Sequence, residues 1–168
     1  EQEIPSGHNK DDYIVERVEF ESHDGRMVPL TITRHKETKI DGSANLLLYG
    51  YGSYGNSMYP SFSSTRLSLI NRDIIWATAH IRGGMEKGMR WWKEGKLINK
   101  KNTFEDYIYA AKYLIKKNYT SKGKIIGMGG SAGGLLMGAV VNQSPELFLG
   151  IIMAVPFVDS LTTNLDHS

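Results

Sequence analysis

Residues 125–136 read Ile125-Ile126-Gly127-Met128-Gly129-Gly130-Ser131-Ala132-Gly133-Gly134-Leu135-Leu136. A short apolar run leads into a serine flanked by glycines, and a segment with helical spacing leaves it. Gly129, Ser131 and Gly133 form a G-x-S-x-G pattern in strand–turn–helix context, the setting of a nucleophile elbow. The geometry asks for these residue types. The serine stands on a sharp turn with Oγ exposed, in a backbone conformation that costs about 1–3 kcal/mol. The flanking glycines let strand and helix approach without a Cβ between them. Glycine is abundant, 18 in 168 residues, so the five-residue pattern alone is weak and its context carries it.

The surrounding chain reads as alternating strands and helices. Strands are expected over residues 13–20, 27–34, 46–49, 74–79, 125–128 and 151–155. The last four are apolar throughout, as in parallel strands covered on both faces. His23-Asp24-Gly25 signals a hairpin, with Asp-Gly supplying positive φ angles. Pro29 removes a ladder donor and argues that this hairpin lies near a sheet edge. Helices are expected over residues 64–72, 103–117 and 132–142. The second carries Phe104, Tyr107, Ile108, Ala111, Leu114 and Ile115 on one face. Thr103 and Asp106 resemble a capping box at its start, and Ser144-Pro145-Glu146 resembles another helix start. Strands alternating with helices imply a mainly parallel α/β sheet with helices on both faces. With the elbow added, this is an α/β-hydrolase fold, expected to stop after about six strands. Residues 1–12 read as a polar arm and 13–168 as the N-terminal part of a catalytic domain.

Composition excludes several alternatives. The net charge of +2 and the lack of a basic block leave nothing to attract nucleic acid. No apolar run reaches the roughly 18 residues that span a bilayer, so no membrane partner is expected. Cysteine is absent, which removes disulfides, thiolate metal sites and a cysteine nucleophile and fits a cytoplasmic location. No His/Asp/Glu cluster has metal-ligand spacing, and no cofactor is implied.

Ser131 is the candidate nucleophile, weak until a base takes its proton. The N–H of Ala132, next in the chain at a helix start, is placed to donate to a developing oxyanion. A second donor is expected from the loop after the 46–49 strand, Gly50-Tyr51-Gly52-Ser53-Tyr54-Gly55.

That loop belongs to a set of motifs. Leu48-Tyr49-Gly50-Tyr51-Gly52-Ser53-Tyr54-Gly55, Arg66-Leu67-Ser68-Leu69, His80-Ile81-Arg82-Gly83-Gly84, Lys101-Asn102-Thr103-Phe104 and Gly129-Gly130-Ser131-Ala132-Gly133-Gly134-Leu135 occur in order along the chain. Together they resemble the prolyl oligopeptidase family of serine peptidases. Ala132 and Val155-Pro156-Phe157-Val158-Asp159 incline the resemblance toward its oligopeptidase B branch. The resemblance implies cleavage of short peptides, after Lys or Arg in that branch. It implies Ser131 as nucleophile, the Ala132 N–H and the Tyr51 hydroxyl as oxyanion donors, and Tyr54 beside the substrate pocket. It gives Arg82, Gly83 and Gly84 a structural role.

Two expected parts have no counterpart here. The family's β-propeller should flank the domain. The fold's triad runs Ser, then Asp, then His, the last two on loops after later strands. Only 37 residues follow Ser131. Asp159, Asp166 and His167 come too early to fill those places, and Asp159 reads as a turn or cap residue. His80, at a strand end, is the least implausible substitute base. His8, His23 and His35 read as solvated, and Glu86 and Glu94 as surface charges. Three readings follow. The chain is part of a peptidase completed by a further segment. Or it is an esterase with His80 as an improvised base. Or it is an inactive remnant that self-associates through an exposed apolar strand edge.

Overall fold

A computed structural model describes residues 8–59 and 61–165. Six strands make one sheet: β1 (Tyr13–Glu21), β2 (Met27–His35), β3 (Leu46–Tyr49), β4 (Ile75–Ala79), β5 (Ile125–Gly130) and β6 (Phe148–Ala154). The helices are α1 (Ser64–Ile70), α2 (Met89–Lys93), α3 (Lys101–Lys116), α4 (Ala132–Gln143) and α5 (Ser160–Leu165). The strand order is β1-β2-β4-β3-β5-β6. β3 to β6 run parallel, while β1 and β2 pair antiparallel at one side. This is the α/β architecture expected from the alternation of elements.

The core lies on one face of the sheet. Leu30, Ile32, Leu46, Leu48, Ile75 and Ile125 are fully buried there with Leu114 of α3 and Leu136 of α4. Tyr107 of α3 is also fully buried, and its hydroxyl donates to Leu48 O at 2.6 Å. Burial drives the Tyr107 pKa upward, so this phenol stays a donor. On the opposite face, α1 packs over β2 and β4. Burial therefore alternates along β4 and β5, and Trp76, Thr78, Ile126 and Met128 are half-buried. The expected cover on both faces holds for β3, where Leu46, Leu47 and Leu48 are all buried, but not for β4, β5 and β6 among the described residues.

Several local expectations change. The hairpin turn spans residues 22–26, and only Gly25 takes a positive φ, +80°. The hairpin does lie at a sheet edge, with β1 outermost and Pro29 on the strand next to it. The Pro29 carbonyl accepts the His80 N–H at 2.9 Å, just beyond the β2–β4 ladder of residues 30–33, and in place of a return bond from Pro29 the His80 carbonyl accepts Trp91 Nε1–H at 3.0 Å. α3 begins at Lys101, and Thr103 and Asp106 do not form a capping box. Both are buried inside the helix and reach across to the loop after β4. Residues 145–147 make one 3₁₀ turn that enters β6 directly, and no longer helix starts at Ser144. In the arm, Asn9 caps a 3₁₀ turn over residues 10–12, and Asp12 pairs with Lys36 at 2.7 Å.

Topology positions the site. Because β3 to β6 point the same way, the residues leaving them gather along one edge of the sheet. β3 and β5 are neighbours, so loop 50–55 lies beside Ser131. β6 is the next neighbour of β5, so residues 155–157 flank Ser131 on the other side.

Candidate active site

Ser131 occupies the junction of β5 and α4 with φ +54° and ψ −117°. For a residue with a Cβ this is a strained conformation. The strain is held from several directions. Ser131 N–H donates to Ala154 O of β6 at 2.9 Å. Ser131 O accepts from Gly134 N at 2.8 Å and from Phe157 N at 3.1 Å. The side chain is exposed and its hydroxyl has no hydrogen-bond partner among the described residues. Both flanking glycines have a contact reason. A Cβ on Gly129 would run into the Gly133 backbone, and one on Gly133 would sit 2.9 Å from Gly50 O.

Ala132 is the first residue of α4 and is 3% exposed. Its N–H is one of the helix-start donors that α-helical geometry leaves unpaired. The positive end of the α4 dipole lies at the same point.

Loop 50–55 supplies the facing wall. Tyr51 is half-buried, and the nearest Tyr51 atoms lie 3.4–3.5 Å from the position of a Cβ on Gly133. Its backbone and the near edge of its ring therefore pack against the first turn of α4, beside the elbow. Tyr54 is 71% exposed and stands edge-to-face with Tyr51 at 6.4 Å, so it is not a core residue. Tyr54 and Gly55 both have positive φ, +57° and +70°, and Asn56 N donates to Ser53 O at 3.0 Å. That is a type I′ turn, which holds Tyr54 outward at the cost of a left-handed non-glycine residue.

The loop rests on residues that sequence reasoning did not connect to it. Gly83, at φ +98°, packs so tightly that a Cβ there would collide with Gly52 O, and its own carbonyl accepts Gly55 N–H at 2.9 Å. Thr103 Oγ1 donates to Arg82 O at 2.8 Å and to Gly95 O at 3.2 Å. Arg82 is 1% exposed and lies between Asp106, 0% exposed, and Asp24. Burial would lower the Arg82 pKa, but its hydrogen bonds to Asp106 and Asp24 outweigh that and raise it. Burial likewise pushes Asp24 up, and the Arg82 hydrogen bond overcomes it, holding Asp24 below its usual range. The structural role expected for Arg82 is what the geometry gives. The pattern of Thr103 and Asp106 looked local because a buried partner 21 and 24 residues away leaves no periodic trace.

His80 does not serve the elbow. It is 2% exposed, Nε2 lies 2.8 Å from Thr31 Oγ1 on β2, and Nδ1 lies 3.7 Å from Glu86 Oε1. Its side chain is buried and bonded to Thr31 of β2, whereas Ser131 follows β5 on the far side of β3. An improvised base at His80 is thus contradicted. Glu86 is also not a surface charge: its side chain is 7% exposed and Oε1 accepts Met58 N–H at 2.9 Å. His8 stacks on Tyr13 at 5.1 Å, so it is partly covered, and His35 Nδ1 accepts Glu37 N–H at 3.2 Å. Asp159 Oδ1 accepts Thr162 N–H at 3.1 Å, a cap on α5. Asp166 and His167 lie outside the described residues. Among the described residues no group of three His, Asp or Glu could hold a metal, and no helix is long and apolar enough to cross a membrane.

The edge expected to be apolar is so. Along β6, Leu149 is 60%, Ile152 44% and Met153 43% exposed.

Comparison with known proteins agrees with this geometry. Dipeptidyl aminopeptidase BI of Pseudoxanthomonas mexicana is 49% identical over 167 residues, covering 99% of this chain and 23% of the relative. Protease 2 of Moraxella lacunata is 52% identical over 144 residues, covering 86% of this chain and 21% of the relative. The chain thus spans less than a quarter of the length of these relatives. Among solved structures, oligopeptidase B from Leishmania major superposes with a TM-score of 0.93 at 44% identity, over 98% of this chain and 23% of that one. The model of the prolyl oligopeptidase family matches residues 60–168, which include the elbow, the loop after β4 and α3. On sequence, fold and the geometry around Ser131 alike, the chain belongs to the prolyl oligopeptidase family.

Proposed function

We propose that this chain is the nucleophile-bearing part of a serine oligopeptidase that cuts short peptides after Lys or Arg through an acyl-enzyme. The carrying observation is Ser131, exposed and strained at the end of β5 with the α4 N-terminus beneath it. In the proposed reaction Ser131 Oγ attacks the scissile carbonyl carbon and its proton passes to a histidine base. The resulting oxyanion takes hydrogen bonds from the Ala132 N–H and the Tyr51 hydroxyl. Collapse expels the amine, which takes the proton, and leaves the acyl group on Ser131. Water then attacks the ester, and the same base returns the proton to Oγ. Tyr54 borders the peptide. The triad Asp and His, and a propeller that restricts entry to short peptides, come from sequence outside these residues.

The proposal is tested on the product of the full reading frame with a fluorophosphonate probe and Lys- and Arg-terminated peptide amides. Labelling is expected at Ser131 and lost in S131A. Y51F should slow acylation by about 10²–10³-fold, the usual effect of removing one oxyanion donor, with little change in stability. Labelling that survives S131A overturns the assignment.

A further inference from the structure

Lys100 is the residue whose placement local preferences do not explain. It sits at the N-cap of α3, where the helix dipole is positive and a cation is disfavoured. It makes no capping bond there. Its side chain runs inward, half-buried, and burial alone pulls its pKa down to about 8. Nζ donates to Gly52 O and, at 2.8 Å, to Ser53 Oγ. Both acceptors lie in the loop that carries Tyr51 and Tyr54. Gly52 is itself at φ +67°, and Ser53 opens the turn that holds Tyr54 outward. A half-buried ammonium with two neutral acceptors, and no carboxylate partner among the described residues, carries a desolvation cost that its two hydrogen bonds to the loop must offset.

Resting on the reading of Ser131 and Tyr51 as catalytic groups, we propose that Lys100 is a positioning residue that clamps the oxyanion loop from below. Its ammonium fixes the Gly52 carbonyl and the Ser53 hydroxyl, and through them the direction of the Tyr51 phenol. It touches neither substrate nor reacting atoms. Gly83 and Thr103 pack against Gly52, and the Gly83 carbonyl accepts the Gly55 N–H at 2.9 Å at the far end of the loop. Lys100 adds the side-chain hydrogen bonds at Gly52 and Ser53, next to Tyr51, where the backbone bond at Gly55 does not reach.

The test compares K100M and K100R with the parent and with S131A in the full-reading-frame product. K100M keeps length and apolar volume and removes every donor, while K100R keeps donors. Peptide hydrolysis by K100M should fall roughly tenfold to a hundredfold in kcat, the scale of a misplaced catalytic group. KM should stay within about twofold. K100R should recover most of the loss. Amide hydrogen exchange over residues 51–55 should quicken in K100M, remain near the parent in K100R and be unchanged in S131A. Equal kcat in K100M and parent, with labelling still lost in S131A, overturns the clamp and leaves the nucleophile standing. A fall in K100M that appears only in KM, or without faster exchange in the loop, also overturns it. Labelling that persists in S131A removes both proposals.

Discussion

Asp106→Asn is the substitution that best probes the foundation of the site. Asp106 is fully buried and accepts four hydrogen bonds: from Ser22 Oγ at 2.6 Å, and from Arg82 N, Nε and Nη2 at 3.0, 2.9 and 2.7 Å. Asparagine fits the space, but it removes the charge and turns an NH₂ group toward donors. Arg82, 1% exposed, would then keep only Asp24, whose side chain is 34% exposed. Breaking a buried ion pair from one side costs about 3–5 kcal/mol, because the remaining charge is left uncompensated. Asp24→Asn removes the solvent-facing partner, and screening there reduces the loss to about 1 kcal/mol. Arg82→Met combined with Asp106→Leu removes both charges and should recover much of the D106N loss. Urea unfolding followed by tryptophan fluorescence measures all three. Trp91 is a suitable reporter, since its ring faces Arg82 at 5.9 Å and its Nε1 donates to His80 O at 3.0 Å. A D106N loss below about 1 kcal/mol, or one no larger than that of D24N, would refute the view that this network carries the loop after β4.

Ser131→Gly should be more stable than Ser131→Ala by about 1 kcal/mol, because glycine adopts φ +54° without strain and alanine does not. Both lose activity, and equal unfolding midpoints would mean that the elbow stores no strain. Lys100 has a folded pKa of about 8 against 10.5 unfolded, so between these pH values the unfolded chain binds more protons and stability rises with pH. The stability difference between parent and K100M should therefore shift in favour of the parent by roughly 2–3 kcal/mol from pH 8 to 10.5. A flat difference would show that Lys100 is solvated. The 168-residue chain expressed alone is expected to self-associate through β6, where Leu149, Ile152 and Met153 are exposed on an unpaired strand. Sedimentation velocity checks this, and a sharp monomer at micromolar concentration would contradict it.

How much was legible in the residues follows from the range of the interactions involved. The elbow is encoded locally: an apolar strand, Gly129, Ser131, Gly133 and a helix that begins at once. Loop 50–55 announces itself by its glycines and tyrosines directly after a four-residue strand. Periodicity located α3 and α4 to within two residues, because apolar spacing is a property of neighbours along the chain. Lys100 carried a weak signal, a lysine at the positive end of a helix, that could have marked it.

Contacts between distant segments were not legible. Arg82 finds Asp24 and Asp106, 58 and 24 residues away, only once the β1–β2 turn, the loop after β4 and α3 have come together. His80 looked available from its strand end, yet the sheet order turns it to Thr31 and away from Ser131. Glu86 read as a surface charge until folding buried it beside His80. The amino-acid sequence alone determined the α/β alternation and the strand–turn–helix at Ser131, which rest on short-range spacing, and its ordered motifs carried the family likeness. Tertiary structure decided which charges are buried, which histidine faces which strand and what holds the Tyr51 loop, because those depend on strand order and close packing between segments far apart in the chain.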